Sequence, residues 1–255
     1  MYCVFKLPNG KEVITKEFLY KDVRMFFNNS SYQSKVELLE RFIITKGLNV
    51  IEKFITLARL REQCIKHSVN LSFNKKDKEV SIDYILKNFN EIIDIREIKN
   101  IENITLVLDY PSKFVIDTDS IFSVIQSVQI DDEKIDLNYV TNEEFVTITN
   151  SLPVDVLSII SEFVEDKKHA LIHNIFSGRD SLELNFLNAS PYILLESLFD
   201  CIDPYTYREY LFVLSKRMKD ISFLINSPFI DIIDYMDLYK RENDDEGEKV
   251  AKIDN

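Results

Sequence analysis

"KHSVNLSFNKKDKEVSIDY", residues 66–84, alternates apolar and polar side chains on both sides of a charged centre. Val69, Leu71 and Phe73 fall on one face of the first arm, Val80, Ile82 and Tyr84 on one face of the second, with the polar turn "NKKDKE" between them. Period two is the signature of a half-buried strand, so the stretch predicts a β-hairpin. A second stretch of the same length, "KHALIHNIFSGRDSLELNF" at 168–186, sets Leu171, Ile175, Leu182, Leu184 and Phe186 opposite Val69, Phe73, Val80, Ile82 and Tyr84. Each hairpin follows a predicted helix. A helix-then-hairpin unit occurring twice, as a possible duplication, makes the expected class α+β rather than all-helical.

Upstream, "SKVELLERFIITKGLNVIEKFITLARLREQCI" carries Val36, Leu39, Phe42 and Ile43, then Val50, Phe54, Leu57 and Leu60 or Cys64, at helical spacing. Gly47 divides it into two predicted helices as a C-cap residue. Before them, "YCVFKLPNGKEVIT" reads as a third hairpin from Tyr2 to about Thr15, turned by Asn9-Gly10 in a type I′ conformation. Downstream, "ENITLVLDYPSKF" predicts a strand ended at Pro111, because proline removes a ladder donor. "DTDSIFSVIQSV" predicts a helix with an Ile121, Ile125, Val128 face. Thr141 and Glu144 match a capping box that opens a helix through Phe145 and Ile148, and Pro153 sits in the first turn of the next. Three further helices start at Ser190-Pro191, Asp203-Pro204 and Ser227-Pro228. From Glu242, "ENDDEGEKVAKIDN" keeps only Val250 and Ile253 as large apolar residues and reads as a disordered acidic tail. The expected organisation is 1–115, with the first two hairpins and the helix pair; 116–241, helical with the third hairpin; and 242–255, the tail. The sequence leaves open whether 1–115 and 116–241 form one compact domain or two.

The chain has 255 residues and a formal net charge of −12. An acidic chain repels a phosphate backbone unless its positive charges are segregated. The basic clusters "NKKDK" at 74–78 and "EDKKH" at 165–169 are interrupted by acids, which disfavours nucleic acid as a partner. No run approaches the roughly 20 apolar residues of a membrane helix, and the start lacks a signal-peptide pattern, so no membrane role is expected. Three scattered cysteines, Cys3, Cys64 and Cys201, make neither a disulfide framework nor a metal knuckle.

Chemistry is sparse. His169 and His173 share a face in an alternating strand, but only Glu165, Asp166 and Asp180 lie close by in sequence, short of a tetrahedral zinc set. Surface or rim placement is the expectation, with no metal and no cofactor. Cys64 lies three residues from His67 but on the apolar stripe of its helix, where a core role is the simpler one. The acid pairs Asp131-Asp132, Glu143-Glu144 and Asp244-Asp245 fall at turns, caps or the tail. No nucleophile elbow, phosphate loop or dinucleotide fingerprint is present, so an enzyme is not expected. In "PYTYREYLFVL", Tyr207, Tyr210, Leu211 and Leu214 share a helical stripe while Tyr205 and Phe212 lie off it. Core packing is the first reading of that stripe and partner binding the second.

Several pieces together resemble a known family. "KLPNGKEV" followed by a phenylalanine-bearing segment and Lys21-Asp22, "FITLARLREQCIKHSVNLSF", "ENITLVLDYPSKF", "TNEEFVTITNSLPVDVLSIISEFVED" and "IIDYMDLYKRE" are similar to the T-even-type bacteriophage baseplate hub assembly proteins. The resemblance implies hairpins that often carry paired cysteines, as zinc ribbons would; 66–84 and 168–186 have none. The resemblance implies a late protein of virion assembly in a contractile-tailed phage. It would act as a tail assembly chaperone that buries apolar segments of a baseplate hub or tape-measure protein in the host cytoplasm. The alternative is a permanent subunit of the virion baseplate. Apolar burial, worth about 25 cal/mol per Å² before ordering costs, would be its chemistry, with Tyr207, Tyr210, Leu211 and Leu214 as candidate contacts.

Overall fold

Asn9 and Gly10 close the first hairpin through a loop one residue longer than a type I′ turn. β1 (Tyr2–Lys6) pairs antiparallel with β2 (Glu12–Lys16). Leu7 N–H donates to Lys11 O at 2.9 Å and Gly10 N–H to Leu7 O at 2.8 Å, enclosing Pro8, Asn9 and Gly10. Gly10 takes φ 83° and Asn9 stays at negative φ, a type I turn followed by a left-handed glycine. Pro8 explains the choice: its ring holds φ near −65°, which suits the first central position of a type I turn.

This computed structural model describes residues 2–28, 32–73, 76–115, 120–131, 133–176, 181–200, 202–218 and 220–253. After β2 come α1 (Tyr20–Asn28), α2 (Tyr32–Glu40) and α3 (Val50–Cys64). The expected break between the last two falls elsewhere than Gly47. Helix α2 ends at Glu40, and the chain then lies extended along β2, with Lys16 N–H to Phe42 O at 2.7 Å and Ile44 N–H to Ile14 O at 2.9 Å. The open edge of β2 and the β-branched pair Ile43-Ile44 outcompete a further helical turn. Gly47, at φ 70°, turns the chain out of that extended stretch instead of capping a helix. The cap of α3 is Asn49. Its side chain accepts from Glu52 N–H at 2.9 Å, and the Glu52 carboxylate accepts from Asn49 N–H at 3.0 Å.

Helix α3 runs into the second hairpin, β3 (Ser68–Phe73) with β4 (Lys76–Ser81), in which Val69 faces Val80. Val69, Leu71 and Val80 are buried as expected, whereas the Phe73 side chain lies outside the described residues. The second arm is shorter than the alternation suggests. Ser81 caps a short helix, α4 (Ile82–Leu86), so Ile82 is buried from a helix and Tyr84 turns outward onto the ring of Phe176 at 5.5 Å.

A four-stranded antiparallel meander follows: β5 (Glu97–Ile101), β6 (Ile104–Leu108), β7 (Ile125–Ile130) and β8 (Glu133–Asp136). Its presence corrects the helix expected around Ile121–Val128. Only Ile121–Val124 coils, as a 3₁₀ turn, and Ile125 onward pairs with β6 on one side and β8 on the other. Local caps lose here to two ladders of backbone hydrogen bonds and the burial of Ile125 and Val128. The strand expected in 102–114 is β6, ending ahead of Pro111.

The capping box at Thr141 and Glu144 opens α5 (Asn142–Asn150), and Pro153 stands at the N-cap of α6 (Val154–Asp166). A single turn, α7 (Lys168–Leu171), leads into the third hairpin, β9 (Ile172–Asn174) with β10 (Glu183–Asn185). Both repeated stretches therefore place a hairpin after a helix, but their pairing differs: Leu71 faces Lys78, while its counterpart His173 faces Leu184. The last third is α8 (Ser190–Phe199), α9 (Pro204–Met218), α10 (Ile221–Asn226) and α11 (Phe229–Ile253). The backbone of α11 reaches Ile253, within the stretch 242–255 expected to be a disordered tail; the side chains beyond Glu242, and residues 254–255, lie outside the described residues.

Aromatic rings join these elements. Phe18 packs on Phe26, Phe42 and Phe199, and Phe54 on Phe89 and Phe186. Tyr20 of α1 is stacked between Tyr207 of α9, at 4.4 Å, and Phe229 of α11, at 5.8 Å. The buried side chains from Cys3 to Met236 form one cluster.

Candidate protein interface

Helix α9 shows how the protein divides its aromatic residues between core and surface. Asp203 fixes its start, accepting from the N–H groups of Tyr205 at 2.8 Å and Thr206 at 3.0 Å. The stripe with the best helical spacing turns inward. Tyr207 is 7% exposed and Leu214 4%, and Tyr20 Oη donates to Tyr207 O at 2.5 Å, which clamps the helix to α1. Tyr210 and Leu211 are half-buried against the same core. Of the four residues expected to meet a partner, Tyr207 and Leu214 are therefore core, and only Tyr210 and Leu211 keep part of their surface. The off-stripe aromatics face out: Tyr205 is 77% exposed and Phe212 61%. They stand seven residues apart, two turns along one face. Lys216 Nζ lies 4.1 Å from the Phe212 ring centre and screens one side of it. Ile221 and Phe223 on neighbouring α10 are exposed as well.

The first hairpin carries a second apolar surface. Cys3, Val13 and Thr15 point inward, and the alternate residues Tyr2, Val4 and Ile14 point outward together with Ile44 from the stretch beside β2. Glu52 anchors this hairpin to α3. Its carboxylate, buried at the helix start, accepts from Asn9 Nδ2 at 2.9 Å and pairs with Lys11 Nζ at 3.1 Å.

The residues that could hold a metal or start a reaction are not gathered. His169 is exposed on α7, whereas His173 on β9 is half-buried between the rings of Phe89 and Phe186, its Nε2 2.9 Å from Ala170 O. They do not share a strand face, because His169 belongs to a helical turn; His173 is a packed residue rather than a rim one. Burial lowers the His173 pKa. Both line a cleft of about 280 Å³ with Asn88, Glu91 and Tyr110. Among the described residues no group of three or more His, Cys, Asp or Glu stands close enough to hold an ion. Cys64 faces Cys3, Sγ to Sγ 3.9 Å, and not His67, which is exposed beside Glu62. Burial pushes the Cys64 thiol up to about 12. Glu144 serves the α5 cap, where the Thr141 N–H holds its pKa down. The side chains of Asp132, Asp244 and Asp245 lie outside the described residues. Among the described residues no helix is long and apolar enough to cross a membrane.

With an aromatic core closed on itself and apolar residues left outside on α9 and the first hairpin, comparison with known families decides the identity. The family model of the T4 bacteriophage base plate protein matches residues 2–178. The chain belongs to that family. No curated protein and no solved structure matches it significantly. The match takes in the N-terminal hairpin, α3 with the second hairpin, the meander and α6, which carry four of the five stretches resembling phage baseplate proteins; the fifth, at 232–242, lies beyond it. A baseplate protein acts among other phage proteins, so its exposed apolar residues are candidate contacts with them. The aromatic face of α9 lies beyond the matched span, yet it is held on the baseplate-family part of the chain by the Tyr20–Tyr207 stack.

Proposed function

We propose that this protein is a permanent docking subunit of the phage baseplate, holding a hub or tape-measure chain by burial of preformed apolar surface. The carrying observation is the exposure of Tyr205 and Phe212 on one face of a helix whose opposite face is locked into the core. Aromatic side chains on a rigid element lose little freedom on binding, which suits a lasting contact. A chaperone that shields a long apolar or coiled-coil segment needs a continuous apolar face. The stripe that could supply one, Tyr207 with Leu214, is turned inward.

The assembly-chaperone role remains the second reading, favoured by the net charge of −12, which would keep a loaded complex soluble. Quantitative mass spectrometry of purified phage particles separates the two. A fixed number of copies per particle is the result expected of a subunit. Presence in infected cells with absence from finished particles would establish the chaperone instead.

A further inference from the structure

The geometry points to the free edge of β1 as a strand-docking site for an acidic, extended segment of another baseplate polypeptide; this rests on the docking role above and names the chemistry of one partner. On β2, Ile14 and Lys16 use their backbone groups on the side away from β1: Ile14 N–H donates to Thr45 Oγ1 at 2.9 Å, and Lys16 N–H to Phe42 O at 2.7 Å. In an antiparallel pair such residues alternate with those bonded to the partner strand. Val13 and Thr15 therefore bond to Phe5 and Cys3, continuing the ladder begun by Leu7 and Lys11, and the N–H and C=O groups of Tyr2, Val4 and Lys6 point to the opposite edge. Among the described residues nothing bonds to them there, and β1 pairs with β2 alone.

Natural edges are blunted by lysine, proline or a bulge at mid-strand. Here mid-strand is Val4, 62% exposed, beside Tyr2 at 69%, and the lysine stands at the end. An incoming strand gains backbone hydrogen bonds from the edge and side-chain selection from its alternate residues. Its positions opposite Tyr2 and Val4 meet apolar surface, and the one opposite Lys6 meets an ammonium. Lys16, across from Tyr2, adds a second positive charge on that face, against the single carboxylate of Glu12 across from Lys6. In a chain of net charge −12 this local excess of lysine selects a carboxylate-bearing partner and disfavours a second copy.

The test is an NMR titration of the ¹⁵N-labelled full chain with the capped peptide Thr-Glu-Thr-Val-Thr-Val-Thr. Paired antiparallel, it sets its glutamate against Lys6 and its valines against Val4 and Tyr2. Saturable shifts centred on the amides of Val4 and Lys6 are expected, weakened about fivefold when lysine replaces the peptide's glutamate or by Lys6→Glu. They should also weaken as salt is raised. Val4→Lys, which charges the middle of the edge without touching the core, should abolish them while leaving the thermal melt unchanged. Absence of shifts at the highest soluble peptide concentration, equal response to both peptides, shifts centred elsewhere, or a dimer of the free chain that the peptide dissociates would overturn the proposal. None of these outcomes bears on α9 or on copies per particle, so the edge and the docking role fail separately.

Discussion

Glu52 joins three parts of the fold, and its replacement gives a graded response that the geometry sets in advance. Its side chain is 6% exposed and receives Asn49 N–H at 3.0 Å, Asn9 Nδ2 at 2.9 Å and Lys11 Nζ at 3.1 Å. Glu52→Ala removes the carboxylate half of the capping box, about 1 kcal/mol, and leaves the Asn9 amide and the Asn49 N–H without an acceptor, for a total of about 3 kcal/mol. The Lys11 pair adds only a few tenths of a kcal/mol, roughly, because that lysine side chain is 36% exposed. Glu52→Gln keeps an acceptor and the side chain's shape, so its loss is about 1 kcal/mol. Urea denaturation followed by circular dichroism measures both, and the melting temperature of the alanine variant should fall by about 6–12 °C. A cycle with Asn9→Ala should give a coupling of at least about 0.5 kcal/mol, since one hydrogen bond joins the two side chains. If alanine and glutamine destabilise equally to within about 0.5 kcal/mol, Glu52 does not hold the hairpin to α3.

Core and surface on α9 are separated by Tyr207→Ala and Phe212→Ala: urea midpoints should show a loss of about 3–4 kcal/mol for the first and less than about 0.5 kcal/mol for the second. Similar losses would dissolve the distinction between the two faces. His173 gives a pH signature. Burial holds its imidazole below the usual value of 6.5, so the unfolded chain takes up the proton first and stability falls as pH drops through about 6.5, levelling once the folded imidazole is protonated. Subtracting a His173→Phe stability curve from the wild-type one between about pH 5 and 7.5 should leave that slope, and parallel curves would refute it. Cys3 and Cys64, buried side by side with raised thiol pKa values, should resist iodoacetamide at pH 8 in the native protein and react in urea, as read by peptide mass spectrometry. Rapid native labelling at Cys64 would contradict their burial.

Local signals were legible where side chains act on their own backbone. The Thr141 capping box, the proline-marked starts of α6, α8 and α9, and the alternation in β3 all identified real elements. Two of the misses share a cause: a distant partner outbid the local preference. Ile125–Ile130 has helix-compatible spacing but is a strand because β6 and β8 flank it. Phe42–Thr45 continues a helical pattern but lies along β2. Pro8 changed the turn type that Asn9-Gly10 alone would favour. On α9, periodicity located the aromatic helix, and the core packing read first for its stripe holds at Tyr207 and Leu214, because a regular apolar stripe is what a core requires. Tyr205 and Phe212, seven apart and off the stripe in the sequence, are the aromatics that the fold leaves exposed. The hairpin edge gave no comparable signal, since which amides of β1 remain open depends on the extended chain beside β2.

Docking through surface that plays no part in folding is tested most directly by a phage carrying Tyr205→Glu with Phe212→Glu. The purified double variant should melt within about 2 °C of wild type, since both side chains are exposed. Electron microscopy of infected cells should show complete tails lost or sharply reduced. Normal yields of complete tails from that double variant would contradict the claim that α9 holds the protein in the baseplate.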